Sequence, residues 1–323
     1  MVRCGGGGMS DLTISRRGLI VGAAAVALLH DIEAARAAAG PRYAYERSWG
    51  GTGTGRGRFD GPRGVVVFGD RVYVADSFNN RIQQFTRSGA FVRAWGTLGA
   101  RNGQLNRPRG LAVDARGQVY VADTLNHRIQ IFNSSGRFVR RFGGRGTARG
   151  KFADPWGVAI GRGGRIYVAD SSNNRVQVFN RRGRFIRAWG GRGSVAGKFF
   201  YPRGIATDAR GRVYVVDGAN HRIQVFSAGG KFLRRWGREG GGNGTFRDPR
   251  DIVIDRRGNV IVTDTGNARV QVFNRRGRYR TKWSALTIAP YGFDPMGVTV
   301  DSSNRVYVAD TAHDRIEVFR LTN

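Results

Sequence analysis

One cysteine, four histidines and four lysines are all that this 323-residue chain holds of the side chains most used for nucleophilic, metal-binding and Schiff-base chemistry. A lone cysteine, Cys4, excludes an internal disulfide framework and a Cys-rich zinc site. Acids are scarce as well: 23 Asp and Glu face 54 Lys and Arg, a formal net charge of +31. Lysine supplies only Lys151, Lys198, Lys231 and Lys282, so arginine carries the charge. No Gly-x-Ser-x-Gly elbow, no His-Glu-x-x-His and no Gly-Lys-Ser/Thr loop occurs. Those absences leave no signature of a serine hydrolase, a zinc peptidase or a P-loop enzyme, and no cofactor is expected. The one sizeable apolar run, Leu19 to Leu29, is too short to cross a bilayer.

What the chain does have is one sentence written six times. Pro62, Pro108, Pro155, Pro202, Pro249 and Pro295 are spaced 46 or 47 residues apart. Asp76, Asp123, Asp170, Asp217, Asp264 and Asp310 keep the same step, as do Arg81, Arg128, Arg175, Arg222, Arg269 and Arg315. Within the second copy, Leu111–Val113, Gln118–Ala122, Arg128–Phe132 and Phe138–Phe142 are short β-branched and aromatic runs separated by turn residues. Four strands per copy at this period predict an all-β fold, a six-bladed β-propeller of four-stranded antiparallel blades. The last copy stops after three strands, and Tyr43–Gly50 matches the missing fourth. The N-terminal strand is therefore expected to close the last blade, which removes a free sheet edge.

The runs Pro202-Arg-Gly-Ile-Ala, Val213-Tyr-Val-Val-Asp217 and Asn220-His-Arg-Ile-Gln-Val-Phe226 resemble the NHL repeat, and the likeness spans residues 43–323. It implies the propeller and little about function, because propellers host lyases, hydrolases, nucleic-acid binders and scaffolds alike. NHL-type peptide-amidating lyases place zinc-binding histidines just after the blade-start proline. No histidine stands there in this chain, so the resemblance does not extend to that activity.

Residues 1–40 differ from the rest. Ser15-Arg16-Arg17-Gly18-Leu19-Ile20-Val21, the apolar run and the small residues from Ala34 to Gly40 resemble a Tat secretion signal. The expected organisation is a signal over 1–40 and a propeller over 41–323, exported to the periplasm, cell wall or medium and monomeric.

Repetition separates scaffold from candidate site. The six Asp and six Arg of the repeat are assigned to structure, with each Asp accepting hydrogen bonds from loop amides and the nearby Arg. Gly-rich stretches such as Gly50–Gly57 and Gly143–Gly150 are read as flexible connectors. Positions that vary at one register are the candidate site. The residue after each blade-start proline is Arg63, Arg109, Trp156, Arg203, Arg250 and Met296 in turn. These six are expected to ring the channel mouth, where guanidinium forks and an indole face suit an anion. A solvated arginine ring at an empty mouth is the alternative. The next position is Gly in five copies and Asp251 in the fifth. His127 and His221 share a repeat position and His313 lies one position earlier, which makes them weak zinc candidates.

The function expected is that of an exported, non-enzymatic binding or scaffold propeller. Its basic mouth would engage a protein partner or an anionic polymer of the cell envelope. Nucleic-acid binding, in particular RNA, is one alternative; an envelope lyase or hydrolase working through the channel is the other.

Overall fold

The computed structural model describes residues 42–284 and 292–322, so the expected signal over 1–40 lies outside the described residues. Alternation of β-branched residues with turn signals produces 24 strands in six four-stranded antiparallel sheets. Strand β1 (Arg42–Gly50) comes first in the chain. Blade one contains β2 (Pro62–Phe68), β3 (Arg71–Asp76), β4 (Arg81–Thr86) and β5 (Phe91–Trp95) in that spatial order. Blade two contains β6 (Pro108–Val113), β7 (Val119–Asp123), β8 (Arg128–Phe132) and β9 (Phe138–Gly143). Strands β10–β13 (155–190), β14–β17 (202–236) and β18–β21 (252–283) repeat the plan in blades three to five. Blade six has β22 (Pro295–Val300), β23 (Val306–Asp310) and β24 (Arg315–Thr322), with β1 on its outer edge. The β1–β24 register runs from Arg42 opposite Thr322 to Gly50 opposite Arg315, with one irregularity between Tyr45 and Arg47. The N-terminal strand thus closes the ring.

The first strand of blade two begins at Pro108, earlier than the apolar run Leu111–Val113. Pro108 pairs with Asp123, and the register then shifts before Leu111. That irregularity hid the start of the strand from a simple alternation pattern.

There is no single core. Each sheet buries both faces against its neighbours, as the period of 2 along a strand requires. In β3, Val72 and Val74 face blade six and join Phe85, Tyr307, Ile316 and Val318. Tyr73 and Ala75 face the other way and join Val119, Val121 and Phe132 of blade two. The same sheet-on-sheet cluster recurs around the ring, which is why the Val-Tyr-Val-Ala-Asp sequence repeats. In five of the six blades a fourth-strand aromatic lies over a turn glycine of the next, and Trp283 of blade five stacks on Tyr43 instead. A Cβ at Gly136, whose φ is +82°, would sit 2.7 Å from the Trp95 ring.

The repeated polar residues form a buried clamp. Asp123 accepts the Asn106 amide at 2.7 Å, the Asn126 Nδ2 at 2.9 Å, the Arg128 Nε at 2.6 Å and the Gln130 Nε2 at 3.0 Å. Arg128 passes the connection on, donating to the carbonyls of Ala100, Arg101 and Gln104. The Gly-rich loops are therefore not flexible connectors. Each is fixed by an arginine fork and by a short parallel bridge such as Arg145 to Phe152, with the Phe buried. Their glycines serve backbone geometry, because an L side chain is strained at the positive φ seen at Gly143, Gly144, Gly146 and Gly150.

Candidate functional site at the channel mouth

The inner strands converge tightly where they begin. A Cβ at Gly64 would stand 2.0 Å from the Arg109 carbonyl oxygen, and one at Gly297 the same distance from that of Arg63. This approach turns the residues between proline and glycine toward the mouth. Trp156 lies among four guanidinium groups, whose Cζ atoms are 3.9 Å (Arg109), 5.2 Å (Arg203), 5.3 Å (Arg250) and 5.9 Å (Arg63) from an indole ring centroid. Met296 is buried beside them. Five of the six candidates thus form one cationic-aromatic cluster, and Met296 walls it.

The four arginines are not equivalent. Arg203 and Arg250 both donate to the carboxylate of Asp248. Burial pulls the Asp248 carboxyl up, but the two guanidinium charges outweigh it and hold it below the usual range. Among the described residues Arg63 and Arg109 have no carboxylate within ion-pair distance and the buried Nε of each meets no acceptor, so Asp294 and Asp154 act on them only from farther away. Burial, then repulsion from neighbouring guanidiniums led by Arg250, pushes Arg63 down to about 10. Burial, then the Arg63 charge, pushes Arg109 down to about 9. A guanidinium driven that far is held at high electrostatic cost, which an incoming anion would relieve.

Four participants were not anticipated. Asp248 immediately precedes Pro249, and Asp154 and Asp294 occupy the same place in blades three and six. They make the mouth less positive than the proline-adjacent arginines alone suggest. Phe78 receives the Arg107 guanidinium at 3.9 Å and that of Arg63 at 5.2 Å, forming a second aromatic contact at the rim. Phe78 is the only aromatic at its repeat position, so the rule that picked out Trp156 could have found it.

Beneath the cluster, Asp251 replaces the glycine of the throat. Its Oδ2 accepts the Val298 amide at 3.0 Å and its own amide donates to Thr263 Oγ1 at 2.8 Å. Thr263 stands where the other blades have Ala or Val, so the two exceptions accompany each other. Burial pushes the Asp251 carboxyl up to about 6.

The histidines are not brought together. His127 Nδ1 accepts the Asp154 amide and His221 Nδ1 accepts the Asp248 amide. Asn80 and Asn174 do the same for Arg107 and Tyr201. Each recipient precedes a proline and has φ near +50°, so the acceptor from the preceding blade holds a strained residue in place. His313 instead bonds Asp310, at 2.7 Å. The weak zinc candidates are explained by these separate roles. Among the described residues no group of three His, Cys, Asp or Glu is placed to hold a metal ion.

Comparison with known proteins places the fold. A streptogramin B lyase structure superimposes with a TM-score of 0.61 at 14% identity, covering 87% of this chain and 98% of that one. A catalytically inactive virginiamycin B lyase from Staphylococcus aureus with quinupristin gives 0.61 at 13%, covering 87% and 99%. A gluconolactonase from Xanthomonas campestris gives 0.64 at 16%, covering 89% and 93%. At these identities the likeness concerns architecture alone. No curated protein sequence matches the chain. The NHL repeat profile matches at residues 59–85, 105–132, 152–179, 199–226, 246–273 and 294–319, one match per blade, and the chain belongs to the NHL repeat family.

Proposed function

We propose that this protein is a non-enzymatic binding propeller that takes an anionic group of a cell-envelope polymer or protein partner at its channel mouth. The observation that carries this reading is the pair Arg63 and Arg109, two guanidiniums packed near Trp156 with no carboxylate within ion-pair distance among the described residues. A phosphate, sulfate or carboxylate would accept from their forks and relieve their mutual repulsion. The wider field of a strongly basic chain would draw polyanions toward the site.

The test is retention on an immobilised sulfated polysaccharide near 0.15 M salt, lost steeply as salt rises. Alanine at Arg63 and Arg109 should weaken binding about tenfold or more. Alanine at Arg203 and Arg250 should weaken it less, because Asp248 already occupies them. Alanine at Arg210 and Arg256, on the opposite face, should have the smallest effect. Equal losses in all three pairs would remove the mouth as the site. Replacing the polysaccharide with RNA tests the nucleic-acid alternative.

Export is part of the proposal and rests on Arg16 and Arg17. Their replacement by Lys should leave the protein in the cytoplasm, and unchanged export would remove that part. A second reading, a lyase or hydrolase working through the channel, is favoured by one observation. Asp251 is a lone carboxyl in an otherwise glycine throat, with its pKa pushed up to about 6 toward the range of a general acid or base. Its structural neighbours include a streptogramin B lyase and a gluconolactonase. Turnover of a lactone substrate that is abolished in Asp251→Asn would support this reading over the binding one.

A further inference from the structure

On the face opposite the mouth, a cavity of about 530 Å³ opens between blades two and three. Its origin is a break in the repeat. Asp114, Asp208, Asp255 and Asp301 occupy one position in the turn between the first and second strands of blades two, four, five and six. Three of these carboxylates accept from a strand-two tyrosine, Tyr120, Tyr214 and Tyr307, and Asp255 instead accepts from Asn259. Asp208, for example, pairs with Arg212 at 2.6 Å and accepts from Tyr214. Blade three has Gly161 there, and its Tyr167 hydroxyl turns instead to the Ala228 carbonyl at 3.4 Å. The same turn carries Gly163 and Gly164, both with φ of +72°. No atom lies within 4 Å of a Cβ built at Gly163, whereas Arg181 lies across Gly164. Blade three has therefore lost a carboxylate, with the Tyr167 ring 2.7 Å from a Cβ built in its place at Gly161, and the turn has open space at Gly163.

Around that space stand Arg116, Arg140, Arg181 and Arg182. The one acid in the lining, Asp114, is already committed. Its Oδ1 accepts the amides of Arg116 and Gln118 at 2.9 and 3.0 Å, and its Oδ2 accepts the Tyr120 hydroxyl at 3.1 Å. Arg140 donates one Nη2 hydrogen bond to the Arg181 carbonyl, while its buried Nε meets no acceptor among the described residues. The cavity falls within the size range of small-molecule pockets. Four forked donors facing a space without a spare carboxylate match a ligand with several phosphate oxygens.

We propose that the blade two–blade three cavity is a second anion site, separate from the mouth, that takes a small molecule bearing an oligophosphate group. Pyrophosphate is the probe, titrated calorimetrically into the full chain carrying Arg63→Ala, Arg109→Ala, Arg203→Ala and Arg250→Ala, so that the mouth does not contribute. One site should remain. Gly161→Asp, which restores the carboxylate of blades two, four, five and six, should weaken that site about tenfold or more. Arg181→Ser with Arg182→Ser should do the same, and it copies the Ser134–Ser135 turn that blade two already folds with. Absence of pyrophosphate binding in the mouth-deficient protein overturns the proposal, as does binding that persists unchanged in both cavity variants. Neither result touches the mouth reading, which the polysaccharide experiment judges alone.

Discussion

Five blades and the sixth solve the same problem with different chemistry. In blades one to five the clamp Asp is flanked by Asn and Gln, neutral groups that donate to the carboxylate and fasten the Gly-rich loop. In blade six the same two places hold His313 and Glu317. Asp310 accepts from His313 at 2.7 Å and from Arg315 at 3.1 Å, so the clamp survives. Glu317, however, adds a second fully buried carboxylate. Arg315 Nη2 pairs with it at 2.6 Å, and both carboxylate oxygens lack a hydrogen-bond partner among the described residues. Burial pushes Glu317 up to about 7, with the Arg315 charge opposing and Asp310 adding to the rise. The contrast teaches that the repeat preserves a hydrogen-bonding geometry rather than a set of residues. It also shows that the blade closed by β1 is the one whose clamp carries a second buried carboxylate.

The comparison breaks most severely if closure itself is removed. Deleting residues 42–50 should abolish the cooperative thermal transition followed by circular dichroism, because β24 becomes an open edge and Trp49 no longer covers Gly89. A local melting of blade six alone would show that the other five blades are autonomous. Next comes the clamp in an ordinary blade. Asp123→Ala leaves the nearly buried Arg128 guanidinium without its counter-charge and its Nε without an acceptor, and should cost about 3–5 kcal/mol in urea unfolding.

A smaller effect separates blade six from the rest. Glu317 holds its proton in the folded chain up to about pH 7, whereas in the unfolded chain it releases it near the ordinary value of 4.5. The folded state therefore binds more protons across that window, and stability should fall as pH rises through it, by about 3 kcal/mol. Glu317→Gln should flatten this slope and raise stability at pH 8. A slope unchanged in the variant would place the titration elsewhere. The smallest effect is expected from His313→Asn, which restores the side chain of the other blades and should alter stability by about 1 kcal/mol or less.

Much of this was legible in the chain. The period fixed blade number, the missing fourth strand fixed closure, and the invariant Asp and Arg were readable as scaffold because all six copies carry them. The variable residues after the prolines were readable as mouth residues because a repeat assigns one register to one place. Three things were not legible. The Gly-rich loops read as flexible because glycine signals freedom locally, yet Arg81, Arg128 and their equivalents reach across about 25 residues to fix them. The sharing of Asp248 between Arg203 and Arg250 depends on the two arginines coming from adjacent blades. The roles of His127 and His221 depend on backbone amides of the next blade.

The sequence by itself determined the architecture, because period, strand pattern and turn chemistry are local properties repeated six times in phase. Only the tertiary structure decided which charges are neutralised. That depends on distances between side chains brought together by closing the ring, and a guanidinium beside a carboxylate differs from one beside another guanidinium. Arg63 and Arg109 look like Arg203 and Arg250 in the chain. The folded ring separates them, because Asp248 reaches one pair and not the other.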